Sequence, residues 1–538
     1  MPEKASSRPG VSVARSSIWI GAGTLLSRLT GLARTIALVW VIGSVSSEAA
    51  DAFTIANQLP NSFFTLLSVG VLTAVIVPNI VRAPSEAFVS KLLTLGGVLL
   101  LVSTVIAGLL TPALVVLQLP GDGAQAALAV AFAWWCVPQL FFYGLYALIG
   151  ETLNARGSFG PHAWAPIVNN LVTIAGLLMF AGLFGNGLVE AADWTPAMIA
   201  TLAGTGTLGI IVQTLVVCAF WRRAGVCFSL DFRWRGVGFR TMGYTAGWTL
   251  MMAVVSLVAS FIQNRVVNSA SGAASAVTVM SNAWLVLMLP FSLIVISIGT
   301  PYFTRFSRHV AEGSADDLRR DFADSVRLIT VLIASALAAL VAAAIPASRI
   351  FTTNAEDAGA AALVLYGYLA GLLPLAINYV VLRVFYANGD TRRPFLFTCA
   401  QCVLVVAGST GGAALVHAGF LPIQHLAATV ALFQSLASAL QLGISLTLVR
   451  RHLGSLSLHR WGWSLLRGLI AAIPAASAGW GVFILNGGAT GWTTASQLAA
   501  VAGSMLIGAA AVFVHAATLA ALRAPELGAV WRVLTRRG

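Results

Sequence analysis

The chain of 538 residues is 58% hydrophobic and only 9% charged, with a mean hydropathy of +0.88, far from the roughly one-quarter charged residues of an ordinary soluble domain. That excludes a string of soluble domains and predicts an all-α polytopic membrane protein, because long apolar helices satisfy their own backbone in hydrocarbon. A net charge of +13 would suit a nucleic-acid binder, but the cations are scattered through short segments rather than gathered in one patch, so topology explains them and no nucleic-acid partner is expected.

Windows of about 20 apolar residues predict about fourteen transmembrane helices, near 17–43, 51–80, 91–118, 125–153, 163–186, 197–221, 241–268, 276–303, 326–348, 358–387, 394–417, 424–449, 465–486 and 498–522. Residues 1–16 form a polar tail without the pattern of a cleavable signal. The first span carries Ser27-Arg28-Leu29-Thr30-Gly31-Leu32-Ala33-Arg34. At about 1.5 Å rise per residue, Arg28 lies about 16 Å deep and Arg34 about 25 Å deep, too far for both to snorkel to one surface. A charge at such depth costs at least ~2.5 kcal/mol, so both are expected to look into a protein interior or a wet cavity. Arg28, Gly31 and Arg34 share one helical ridge, the glycine leaving room for a ligand between the guanidinium groups. Paired guanidinium groups favour a phosphate, sulfate or carboxylate, and a diphosphate best; alternatively they satisfy helix-end carbonyls or pair with buried acids.

Helix 2 opens on Asp51, an external gate partner or a helix cap, and continues through Asn57 and Gln58, with Asn57 a candidate for substrate contact. Glu151 in helix 4 and Arg383 in helix 10 stand at equivalent places and are expected to form a structural or gating salt bridge. Helix 7 holds Gln263, Asn264 and Arg265, the last either snorkelling or facing the substrate; helix 8 holds Asn282. Residues 304–325 read as a mixed-charge amphipathic linker between helices 8 and 9. The pair Cys399/Cys402 sits mid-helix, where packing is the expected role.

Leu59-Pro60-Asn61-Ser62 recurs as Leu289-Pro290-Phe291-Ser292, and Leu153-Asn154-Ala155-Arg156-Gly157 parallels Phe385-Tyr386-Ala387-Asn388-Gly389 at nearly the same offset. This suggests two six-helix lobes of shared orientation, 17–225 and 226–452, followed by helices 13 and 14 and a second tail within 453–538. Of the 31 Lys and Arg, 26 fall on the N-terminal side of the membrane, only Arg349 on the other, and four (Arg28, Arg34, Arg265, Arg383) within spans. Both termini are therefore expected in the cytoplasm. Catalytic signatures such as HExxH, a Walker loop or GxSxG are missing, as is any metal-ligand cluster. A transporter without a cofactor is expected, driven by an ion gradient, the membrane potential or substrate supply and removal, with no coupling ion named by the sequence.

Ser27-Arg28-x-x-Gly31-x-x-Arg34, Ala50-Asp51-Ala52-Phe53, Leu59-Pro60-Asn61 and Val77-Pro78 together resemble the opening of the MurJ/MviN proteins, the lipid II flippases of the multidrug/oligosaccharidyl-lipid/polysaccharide (MOP) exporter superfamily. Ala165-Pro166-Ile167-Val168-Asn169-Asn170 and Phe385-Tyr386-Ala387-Asn388-Gly389-Asp390-Thr391-Arg392-x-Pro394 are similar to later segments of that family, and the wording is closest to its actinobacterial branch. The resemblance implies alternating access in a bacterial cytoplasmic membrane. Lipid II, the undecaprenyl-diphosphate-linked disaccharide-pentapeptide, would move from inner to outer leaflet for peptidoglycan synthesis. It further implies inward arginines on the diphosphate, a lipid-tail groove at helices 13 and 14, and membrane lipids and cell-wall synthesis or division proteins as partners. The carry-over covers Arg28, Arg34 and Asp51. The chain departs from the family at Phe63, Phe64 and Thr65 and near Leu285, where many members carry basic residues, and Arg265 is the expected substitute. A drug or polysaccharide-lipid exporter of the superfamily and a non-transporting scaffold for cell-wall enzymes are the other readings.

Overall fold

The computed structural model describes residues 9–68, 86–119, 123–155, 160–221, 229–232, 239–454 and 458–525. Val77-Pro78, Arg156-Gly157, Cys227 and the two terminal tails at 1–8 and 526–538 lie outside the described residues. Among these described residues fourteen long helices follow in order: α1 (Pro9–Ile42), α2 (Glu48–Leu67), α3 (Glu86–Gln118), α4 (Ala124–Leu153), α5 (Gly160–Phe184), α6 (Pro196–Ala219) and α7 (Phe239–Val267). Then come α8 (Val277–Glu312), α9 (Ala315–Ala342), α10 (Ala355–Ala387), α11 (Arg392–His417), α12 (Leu426–Leu453), α13 (Leu458–Leu485) and α14 (Gln497–Ala521). Twelve of them, α3 to α14, are long and apolar enough in their described residues to cross a membrane. The other two, α1 and α2, carry the arginines and Asp51.

Packing is local first. In the first half α5 lies between α1 and α6, and α2 packs on α4; in the second, α11 and α10 pack on α12, and α8 and α9 on α10. Helices α13 and α14 pack on each other and on α9. Small residues permit the closest crossings: a Cβ built on Gly408 of α11 would fall 2.2 Å from the ring of Phe433 on α12. Pro290 interrupts α8, since it lacks an N–H and crowds the preceding turn, and the helix loosens into a π-helical stretch over Phe291–Ile296 before resuming.

The expected linker at 304–325 is instead mostly helix. Helix α8 runs on to Glu312, Gly313 turns with φ +71°, and α9 starts at Ala315. The charges read as a solvated linker occur at helical spacing, with Arg319–Asp316 at 2.7 Å and Arg308–Glu312 at 3.9 Å on the surface. Phe306, Leu318 and Phe322 are buried between the two helices, and buried Asp321 accepts from Arg305 and meets His309 Nε2 at 2.8 Å. An amphipathic hairpin thus extends both helices beyond the apolar slab.

Polar groups inside the second half are paired. Asn378 of α10 donates to the Ser438 carbonyl at 3.0 Å and to Gln441 Oε1 at 3.3 Å, and accepts from Ser445 at 2.8 Å; Gln441 in turn donates to Thr398 of α11 at 3.3 Å. Removing the hub would strand several buried partners. We expect Asn378→Leu to cost about 1–3 kcal/mol, seen as a lower melting temperature of the detergent-solubilised chain; an unchanged melting curve would contradict the network's structural role.

Candidate functional site

The N-terminal end of α1 defines a near side of the molecule, and its Ile42 end a far side. On α1, Thr30 Oγ1 donates to the Leu26 carbonyl and Thr35 Oγ1 to the Gly31 carbonyl, so the hydroxyls are satisfied within the helix. The arginines are not. Arg28 is exposed and Arg34 half-buried, and neither forms a hydrogen bond or ion pair with any described residue. Arg34 acts electrostatically on Tyr143 of α4, which places it toward the helices of its own half.

Gly31 does not open a gap for a ligand. Asn170 of α5 crosses there, donating to the Ser27 carbonyl and to Thr30 Oγ1, both at 3.0 Å, and a Cβ on Gly31 would meet its Nδ2 at 3.5 Å. The glycine serves helix crossing, and the two arginines flank that crossing on the same ridge.

The far side is laced across the two halves. Asp51 is fully buried; its Oδ2 accepts from Ser271 Oγ at 2.6 Å and its Oδ1 from the Thr278 N–H at 2.8 Å, in the first turn of α8. There the unpaired amides of the helix N-terminus favour a carboxylate. Beside it Thr54 and Thr278 hydroxyls meet at 2.9 Å, Ser44 Oγ donates to the Phe351 carbonyl at 2.7 Å, and Ser46 N–H donates to the Ala274 carbonyl at 3.2 Å. Ser46 holds a left-handed φ of 52° within this joint. Asp51 is therefore not the cap of its own helix, which Ser47 provides at Ala50; it caps a helix of the opposite half.

Arg265 joins the same seal. Its guanidinium donates to the carbonyls of Val116 at 2.8 Å and Leu119 at 3.2 Å, capping the C-terminal end of α3, where orphan carbonyls and the helix dipole favour a cation. It is thus engaged by protein carbonyls rather than standing in for absent substrate-binding arginines. Asn264 next to it donates to Gln118 Oε1 at 2.9 Å. Buried Arg349 likewise spends its donors on the carbonyls of Thr494 and Thr352.

Among the described residues the near-side ends of the halves are joined only through the connecting segment, where the Ser229 N–H donates to Ser90 Oγ at 3.2 Å and the Asp231 N–H to Thr94 Oγ1 at 3.1 Å; no hydrogen bond or ion pair there joins a helix of α1–α6 to one of α7–α12. The expected Glu151–Arg383 salt bridge is not formed: Arg383 donates to the Tyr379 hydroxyl at 2.7 Å and lies over the rings of Tyr379 and Phe303, while Glu151 sits near His162 of its own half. Aromatic faces replace the carboxylate as the partner of the cation.

Between the halves lies a cavity of 290 Å³, walled by α7, α8, α10, α11 and α12 and faced by Gln58 of α2. Neither Asn57, half-buried one residue earlier and so about 100° around the helix, nor any arginine lines it. Its polar wall includes Gln263, Gln401 and Gln434, with Trp284 and Tyr368 as aromatic members. Of these, Gln58 and Gln263 stood out in the sequence as polar residues within spans. Gln401 and Gln434 did not, because neither stands next to another amide or a charge, as Gln58 does beside Asn57 and Gln263 beside Asn264-Arg265. Phe63 and Phe64, where the resemblance implies cations, pack against Ala107, Val137 and Leu140 of α3 and the α4 turn, and Leu285 is partly exposed.

Comparison with known proteins gives a consistent result. Residues 43–502 match the family described as Lipid II flippase MurJ. A probable lipid II flippase MurJ of Rickettsia prowazekii (strain Madrid E) is 23% identical over 409 residues, covering 72% of this chain and 76% of the relative. One of Vibrio cholerae serotype O1 is 26% identical over 414 residues, covering 71% and 74%. Among solved structures, a lipid II flippase MurJ in an inward closed conformation superimposes with a TM-score of 0.66 at 17% identity, covering 93% of this chain and 98% of that one. An inward-facing MATE family transporter of the MOP superfamily gives 0.62 at 17% identity over 80% and 95%. At such identities the structures speak for the fold.

If Asp51 fastens the far side, loosening it exposes that joint. A cysteine placed at Ser275, which is 1% exposed, is expected to react with a membrane-impermeant maleimide about ten- to a hundredfold faster when Asp51→Asn is added, since one buried charge-assisted bond is worth ~1.5–3 kcal/mol. Equal labelling rates in both backgrounds would remove Asp51 from the seal.

Proposed function

The chain belongs to the lipid II flippase MurJ family, and from that premise we propose that it carries lipid II from the inner to the outer leaflet by alternating access, with Arg28 and Arg34 receiving the diphosphate. As a member of that family it is a multi-pass membrane transporter and not an enzyme. The observation that carries the site assignment is the pair of guanidinium groups without a partner among the described residues on a membrane helix. A desolvated cation is tolerated only where a counter-charge or water meets it, and a diphosphate offers paired oxygen acceptors to a planar fork. The bias of 26 Lys and Arg against one supports a cytoplasmic near side.

On this reading the far-side seal keeps the head group from escaping outward until the halves rearrange. Asp51 is the joint that must open, because releasing it frees Ser271 and the first turn of α8 together. The tail stays in the bilayer while the head crosses between the halves. Since the joint lies on the opposite side from the near-side ends of Glu151 and Arg383, we assign those two residues to the gate that closes when the joint opens.

Replacing Arg28 or Arg34 by Ala is expected to abolish rescue of cells depleted of their own lipid II flippase, with membrane levels of the protein unchanged because neither side chain supports the fold. Lysine at either position should restore rescue only in part, as it cannot donate the paired fork. Growth at the parental rate from both alanine variants would overturn the assignment.

A further inference from the structure

We propose that the cavity between α2 and the second half is a saccharide site, built to hold the uncharged sugars of the lipid-linked head group apart from the diphosphate. This rests on the flippase reading above and adds to it a second set of contacts on a different part of the molecule.

The composition of the wall carries the inference. Four glutamines, Gln58, Gln263, Gln401 and Gln434, face one cavity, and none of their side-chain amides hydrogen-bonds to a described residue. Gln263 Nε2 is buried with no partner at all among the described residues. Buried amides are ordinarily satisfied, and here Gln118 and Gln441 are bonded at both side-chain atoms: Gln118 donates to the Leu114 carbonyl and accepts from Asn264, and Gln441 donates to Thr398 and accepts from Asn378. Each open amide offers two donors and an acceptor, a mixture that matches hydroxyl and N-acetyl groups, which both give and take hydrogen bonds. Trp284 is 38% exposed and stands edge-to-face with Tyr368, ring centroids 5.4 Å apart. A rigid aromatic face beside neutral amides suits the apolar face of a pyranose.

Charge decides against the other parts of the head group. Among the described residues no Asp, Glu, Lys or Arg lines the cavity, so neither a diphosphate nor a peptide stem with its ionised ends would find a counter-charge in that wall. At 290 Å³ the volume is near the lower limit of ~300–1,000 Å³ for small-molecule sites, and it accommodates a sugar ring rather than an entire lipid-linked head. An apolar groove of 570 Å³ lies between α7 and α11, with Ala259 and Cys402 common to its wall and the cavity's.

The test measures binding by the full detergent-solubilised chain to three probes: undecaprenyl diphosphate, the same lipid bearing only the disaccharide, and the complete disaccharide-pentapeptide lipid. We expect the disaccharide probe to bind about tenfold tighter than the sugar-free one, an advantage of about 1.4 kcal/mol from one or two hydrogen bonds and a ring contact. Trp284→Ala and, separately, Gln263→Leu should erase that preference while leaving affinity for undecaprenyl diphosphate unchanged, and Trp284→Phe should recover part of it. Arg28→Ala should weaken all three probes alike. A melting temperature equal to the parent's identifies the variants that report on binding, and Gln434→Leu replaces any that do not meet it. Equal affinity for the sugar-free and disaccharide probes overturns the saccharide site even where Arg28→Ala behaves as expected. A preference that appears only with the pentapeptide probe assigns the cavity to the peptide and overturns it as well. Failure of all three probes to bind overturns the flippase reading beneath it.

Discussion

The arrangement depends on one buried carboxylate. Taking Asp51 out of water costs several kcal/mol, and the cost is offset only where its lone pairs are filled and a positive potential is near. Both conditions are met by the opposite half of the molecule, through the Ser271 hydroxyl and the Thr278 amide at the opening of α8. The small side chains of Ala49, Ala50 and Ala52, all fully buried, let the backbones come close enough for this. Because water can replace those partners when the halves part, the closed and open states of the joint lie nearer in energy than an apolar seam of equal area would allow. A joint of this kind is firm when shut and still able to open.

The rest of the interface follows from where polar bonds are placed. Hydrogen bonds that cross the halves gather at the far side, where Arg265 ties the end of α3 and Gln125 reaches both the Glu48 carbonyl and Ser271. At the near side, among the described residues, only the segment connecting the halves is tied down, by Ser90 and Thr94, and no helix of one half bonds a helix of the other. Meanwhile each half is stitched within itself, by Asn170 between α5 and α1 and by Asn378 between α10 and α12. Rigid halves hinged at one side are what a rocking motion requires, since interfaces with few polar ties are the ones that can separate.

Helix order and number were legible in the sequence because hydrocarbon imposes a length and an apolarity that few other structures share. Intramembrane charges were equally visible, since each stands out against its span. What was not legible is the direction in which a side chain points. Arg28, Arg34 and Arg265 look alike in sequence, yet two have no partner among the described residues and one caps α3, a difference set by a helix end 146 residues away. Gly31 promised room, and Asn170 takes it. Glu151 and Arg383 occupy matching places in the repeat, but matching places in two lobes meet only if the lobes close there. The 304–325 segment was misread because surface charge density resembles that of a linker, while the i, i+3 spacing that makes it a helix is a finer signal.

Two arginines would be few for a ligand as large as a lipid-linked disaccharide-pentapeptide if charge alone had to hold it. Positions where further cations would stand hold Phe63 and Phe64, turned into their own half, and Arg265 is occupied at the far side. A carrier gains from this economy, because several guanidinium groups on one diphosphate in a desolvated site would bind too tightly to let go, and transport needs affinity that can be surrendered. Neutral amides and an aromatic face supply contacts that are individually weak and readily exchanged with water. On the proposed reading, the cations on α1 recruit and the glutamines of the second half recognise. Separating the halves then breaks both sets of contacts at once, because each lies on a different side of the seam.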